Sequence, residues 1–78
     1  MMQIKINDED IKALKKLNNQ EINKYLDKID NINEDEAIEF MEYLYDKSNE
    51  YLQGKNYDET PESKLLEKIA DYIYEKTN

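Results

Sequence analysis

The chain contains no cysteine and no histidine. Without cysteine, neither a disulfide framework nor a thiolate zinc site can staple the fold. Without histidine, the side chain that most often serves as general base near neutral pH is missing. Arginine, valine and tryptophan are also absent, and glycine and proline occur once each. One glycine cannot build the dinucleotide-binding fingerprint or the phosphate-binding loop, which need three and two. No apolar stretch approaches the roughly 20 residues of a membrane span, and Met1-Met2-Gln3-Ile4-Lys5-Ile6 carries no apolar run of signal-peptide length. A cytoplasmic chain with no membrane contact is the expectation. Carboxylates could in principle act in pairs, but raising the pKa of one requires a pocket, and 78 residues leave little room for it. The sequence therefore predicts a binding protein rather than an enzyme, with no cofactor and no metal.

What is present is acid. Nineteen acidic residues face eleven cations, all lysine, for a formal charge of −8. The wealth of Asn, Ile, Lys and Tyr matches AT-rich codons. That bias favours lysine at least as much as glutamate, so it does not produce the acid excess. Such a charge disfavours nucleic acid and anionic membranes as direct partners and favours a basic protein surface. The plain alternative is a surface that is merely solvated.

Helix signals recur along the chain. A first helix is predicted from Asn7 or Asp8, with Asp8, Glu9 and Asp10 at its positive end, Lys12, Lys15 and Lys16 toward its negative end, and Ile11, Leu14 and Leu17 inward. Asn18 and Glu21 have capping-box spacing and open a second helix with Ile22, Tyr25, Leu26 and Ile29 as its apolar stripe. A long third helix starts at Asn33, with Glu36 three residues on, and should reach about Gln53, where Gly54 can close it. Thr60-Pro61 caps a fourth, running to about Lys76 with Leu65, Leu66, Ile69, Ala70 and Ile73 inward. Ile4 and Ile6 alternate like a strand that has nothing to pair with, so an extended or helical lead-in is expected. The fold class is all-α: residues 1–78 form a single domain, a compact three- to four-helix bundle with short N-terminal helices and a long acidic third helix. A core this small supplies roughly 3–5 kcal/mol of net stability.

Two further patterns stand in the sequence. From Asn31 to Glu42 the oxygens have the spacing of a calcium loop, but its sixth position needs glycine and holds Glu36. The capping-box reading of Asn33 and Glu36 uses the same residues without strain. In size, acidity and helicity the chain resembles an acyl carrier protein. That family's Asp-Ser-Leu attachment motif is absent, since Ser48 follows Lys47 and Ser63 follows Glu62.

The charge excess is localised. Between Asp30 and Glu62 stand eleven acids and two lysines, Lys47 and Lys55, while the remaining residues sum to about +1. At 100° per residue, Asp35, Glu39, Glu42, Asp46 and Glu50 fall within about 80° of one another, opposite Ala37, Met41, Leu44 and Ser48. The ridge so predicted is about 22 Å long, with neighbouring carboxylates about 5–6 Å apart, a spacing comparable with phosphates along one nucleic-acid strand. Its four like-charged steps cost about 1–2 kcal/mol, which interleaved lysines would have avoided. Of the seven tyrosines, Tyr25 and Tyr45 fit core stripes, Tyr43 borders the ridge, Tyr57 follows Gly54, and Tyr74 points outward.

These features are similar to those of small acidic helical proteins of phages and mobile elements, among them anti-CRISPR and other DNA-mimicking inhibitors. The resemblance implies a non-catalytic inhibitor of anti-CRISPR or anti-restriction type that occludes the basic channel of a nucleic-acid-binding protein and does not itself contact nucleic acid. The predicted contact residues are Asp35, Glu39, Glu42, Asp46 and Glu50, with Tyr43 and Tyr57 as anchors and Asp58 and Glu59 beside them. Asp58-Glu59-Thr60-Pro61-Glu62 resembles the start of the last helix in nuclease-colicin immunity proteins, whose Tyr-Tyr-Pro segment has no counterpart here. That resemblance implies neutralisation of a basic bacteriocin nuclease. A third reading is a small adaptor or structural protein that self-associates or docks through its apolar stripes. Monomer and homodimer are both compatible with the sequence.

Overall fold

The computed structural model describes residues 4–52 and 58–77, and within them it contains four α-helices and no strand. They are α1 (Asp8–Lys16), α2 (Gln20–Asp27), α3 (Glu34–Glu50) and α4 (Pro61–Thr77), with one 3-10 turn at Ile29–Asn31 between α2 and α3. None of these helices is long and apolar enough to cross a membrane.

Short polar side chains set the helix starts. Asn7 accepts from the Asp10 amide at 2.8 Å, Asn19 from Ile22 at 3.0 Å, and Asn33 from Glu36 at 2.8 Å. Each contact satisfies one of the amides that a first turn leaves without an intrahelical partner. At α3 the Glu36 carboxylate also reaches back to the Asn33 amide, completing the capping box. At α4 the exchange is between Thr60 and Ser63. The Ser63 amide donates to Thr60 Oγ1 at 3.1 Å, and the Thr60 amide donates to Ser63 Oγ at 2.9 Å. Ser63 is buried and was not among the predicted inward residues.

Three expected boundaries shift. Asn18 does not cap α2, because its backbone is left-handed at φ 54° and its amide closes α1 on the Lys15 carbonyl at 3.1 Å. Asn tolerates that conformation better than other residues with a Cβ, and the cap passes to Asn19. The second stripe breaks after Asp27, which leaves Ile29 buried in the 3-10 turn rather than on α2. α3 stops at Glu50, with Tyr51 as its C-cap, short of the expected Gln53. Gln53 and Gly54 lie outside the described residues, as does Tyr57.

α3 and α4 form the main hairpin. It is antiparallel: the Thr60 hydroxyl donates to the Tyr51 carbonyl at 2.8 Å, and the Tyr45 hydroxyl meets Asp71 further along. One cluster of buried side chains joins every element. Leu14 comes from α1, Ile22 and Leu26 from α2, Ala37, Phe40 and Leu44 from α3, and Leu66, Ile69, Ala70 and Ile73 from α4. Ile11, Leu17 and Leu65, expected inward, are only half-buried, and of the three Leu17 and Leu65 pack against that cluster. Phe40 is the largest fully buried side chain, and the Tyr25 ring stacks on it at 4.7 Å and 16°. The lead-in is extended rather than helical. Ile4 is fully buried and its amide donates to the Ile29 carbonyl at 3.3 Å.

Candidate protein-binding face

α3 turns one side to the core and the opposite side to solvent. Ala37, Phe40, Leu44 and Ser48 are buried, whereas Asp35, Glu39, Glu42, Asp46 and Glu50 are all exposed. Met41, expected on the buried side, is half-buried against the core. The five carboxylates therefore lie along the outer side of one straight helix, about 22 Å from first to last at 1.5 Å per residue.

Lysine does little to neutralise this line. Among the described residues, α3 carries seven acids and one cation, Lys47. Lys47 meets Glu50 at 3.1 Å, at the far end of the ridge. Its ammonium is held above the ordinary lysine range, first by that contact, and it sits 5.5 Å from the Tyr43 ring centroid. Asp35, Glu39, Glu42 and Asp46 make no ion pair with any described residue. Glu36, on the flank facing α2, is used internally. It pairs with Lys28 while serving the capping box, and the Lys28 bond is the main cause that lowers its pKa. Burial, then the neighbouring Glu39 carboxylate, raises the Tyr25 phenol.

The two flanks of α3 are tied to different neighbours. On one, Lys28–Glu36, Tyr25–Phe40 and Asn19–Tyr43 form successive contacts with α2. On the other, the Tyr45 hydroxyl donates to Asp71 of α4 at 2.5 Å, which pushes the phenol up to about 12. These contacts on both sides set which side of α3 faces outward.

The other predicted contact residues are not all brought to this face. Tyr43 is half-buried, and its hydroxyl is engaged with the Asn19 amide group at 2.9 and 3.1 Å. It secures α2 to α3, and only its ring edge and the Lys47 above it border the ridge. Asp58 and Glu59 are exposed, and the Thr60–Tyr51 bond sets them near the C-terminal end of α3. Glu59 lines a shallow surface groove on α4 with Lys64, Lys68 and Tyr72, so its charge belongs to a mixed-sign region. Asn19, Lys28 and Asp71, which position the ridge, were not legible in the sequence because each acts across a tertiary contact. Comparison with protein-family models, with curated proteins and with solved structures returns no match for this chain.

Proposed function

We propose that this protein is a non-catalytic inhibitor that lays the outer side of α3 into the basic, nucleic-acid-binding channel of a target protein. One observation carries the reading. Five exposed carboxylates share one side of a helix held by both neighbours, and four of them have no lysine partner among the described residues. A chain that needed only solubility gains nothing from like charges at successive helical turns, which destabilise an isolated helix by about 0.2–0.5 kcal/mol per pair. A chain that must displace a polyanion gains directly.

The charge density suits a partial mimic. The ridge offers one carboxylate per about 5 Å, against one phosphate per about 3.4 Å on each strand of duplex DNA. It therefore stands in for a segment of one strand rather than for a duplex. Binding of this kind is steered by long-range attraction, so association is fast and weakens steeply with salt. Anti-CRISPR and anti-restriction inhibitors are the functional class this describes, and the target would be a host enzyme that handles nucleic acid.

The test is affinity capture on the immobilised chain, with washes of rising salt and, separately, of single-stranded DNA. The expected result is a nucleic-acid-handling protein released by either wash, and no capture by the Glu39→Lys, Glu42→Lys, Asp46→Lys triple variant at unchanged helix content. Equal capture by the triple variant, or release by neither wash, overturns the reading.

A further inference from the structure

The last turn of α1 and the first turns of α4 enclose a shallow apolar groove of about 360 Å³, lined by Ala13, Lys16, Leu17, Pro61, Glu62 and Leu65. None of the ridge carboxylates lines it. Its floor comes from Ala13, Leu17, Pro61 and Leu65, so apolar surface stays in contact with solvent where the two helix ends diverge. Its two banks carry opposite charges: Lys16 on the α1 bank and Glu62 on the α4 bank, both exposed and neither in an ion pair with any described residue.

We propose that this groove is a self-association surface, in which a second copy of the chain docks about a two-fold axis. A two-fold interface must be complementary to itself, because the same patch meets its own image. A groove with one lysine bank and one glutamate bank meets that condition. Rotation by 180° brings the α1 bank of one copy over the α4 bank of the other, placing each Lys16 against the opposite Glu62 and the four apolar side chains face to face. The small side chain of Ala13 lets the backbones approach. Elsewhere, two chains of charge −8 repel, and a neutral, self-complementary patch is where they can meet. A partner of uniform charge would satisfy one bank and oppose the other. Six lining residues are few against the roughly 20–30 a side of a standard interface, so the dimer belongs to the weak, exchanging class.

Lys16 and Glu62 also complement the dipoles of their own helices, a role that requires their signs but not their placement across a groove. The experiment separates the two roles. Sedimentation equilibrium is run at concentrations up to about 500 µM, where a weak interface is populated, on the native chain, on Lys16→Glu, on Glu62→Lys, and on an equimolar mixture of those two variants. The native chain is expected to dimerise, and each variant alone to do so about tenfold more weakly, since like charges then face each other twice. The mixture is expected to recover the association, because every facing pair is again opposite in sign. A helix-end effect would weaken both variants without any recovery on mixing. Circular dichroism confirms that each variant folds, and Glu62→Gln replaces Glu62→Lys if that one does not, with an intermediate loss expected. A native chain that stays monomeric throughout the range leaves the groove to a foreign helix and overturns the proposal. A mixture no stronger than its components overturns it equally.

Discussion

α3 and α4 are two helices of 17 residues each, antiparallel and sharing one core, yet their outer sides follow opposite rules. α3 carries seven acids and one lysine, whereas α4 carries four acids and three lysines. On α4, Lys64 with Glu67 and Lys68 with Asp71 are opposite in sign at a spacing of three, so lysines are interleaved with the acids as on an ordinary solvated helix. On α3 the corresponding positions repeat one sign. Both helices come from the same genome, face the same solvent and enclose the same core, so composition and solubility explain α4 and leave α3 over. The difference is what the proposed binding role of α3 would account for.

The most drastic way to break this comparison is to remove what the helices share. Phe40→Ala should cost about 3–5 kcal/mol, as for other fully buried aromatic truncations, in a domain with little more than that to lose. Urea or thermal melts followed by circular dichroism should show both helices lost together. Survival of one helix without the other would mean that their fates are separate. The next effect is on binding. Reversing Glu39, Glu42 and Asp46 to lysine should weaken capture of the target at least about 100-fold, whereas Glu67→Lys with Glu75→Lys on α4 should change it less than about threefold, as expected where ligand steering comes from one patch. Equal losses from the two helices would reduce the ridge to a general effect of net charge.

A smaller effect sharpens the comparison in stability. Glu42→Lys converts two like pairs, with Glu39 and Asp46, into opposite ones and should stabilise the chain by about 1 kcal/mol. Glu67→Lys gains a pair with Asp71 and loses one with Lys64, so its change should be near zero. Chemical denaturation of the two variants checks both. A native residue whose replacement stabilises the fold while weakening binding is retained for the binding.

The smallest effect concerns the seam between the helices. Because its hydroxyl donates to Asp71, the Tyr45 phenol is pushed up to about 12 in the folded chain, against 10.0 ordinarily. A group whose pKa rises on folding contributes its stability fully below the unfolded value and loses it as pH climbs to the folded one. Between pH 10 and 12 the native chain should therefore lose more stability than Tyr45→Phe, measured as the divergence of their denaturation midpoints. Parallel curves would show that the bond to Asp71 does not hold the phenol neutral.

How much of this was legible in the sequence follows the range of each interaction. Local signals carried well. Asn7, Asn33 and Thr60 cap helices as their spacing implies, and Asp35, Glu39, Glu42, Asp46 and Glu50 share a side because a helix has a fixed period. Where two neighbouring residues could serve equally, as at Asn18 and Asn19, the sequence does not decide between them, because the left-handed backbone that divides their roles is not displayed in it. The 3-10 turn at Ile29–Asn31 continues the apolar periodicity of α2, so the sequence alone does not separate the two. Phe40 shares the side of Ala37 and Leu44 and is fully buried, whereas Met41 is half-buried, and the stacking of Tyr25 from α2 on Phe40 is a contact the sequence does not display. The pairings of Tyr43 with Asn19, Lys28 with Glu36, Tyr45 with Asp71 and Lys68 with Asp10 join residues 8 to 58 positions apart. No local pattern contains them.

The burial of Ile4 bears on how the two short helices survive. At nine and eight residues, α1 and α2 are below the length at which a helix persists alone in water. With the Ile4 amide bonded to the carbonyl of Ile29, the chain from 4 to 29 is tied at its two ends, which opposes the opening of both helices. Slow hydrogen exchange at the Ile4 amide would then report on the opening of the whole N-terminal lobe, which makes one proton a gauge for a third of the molecule.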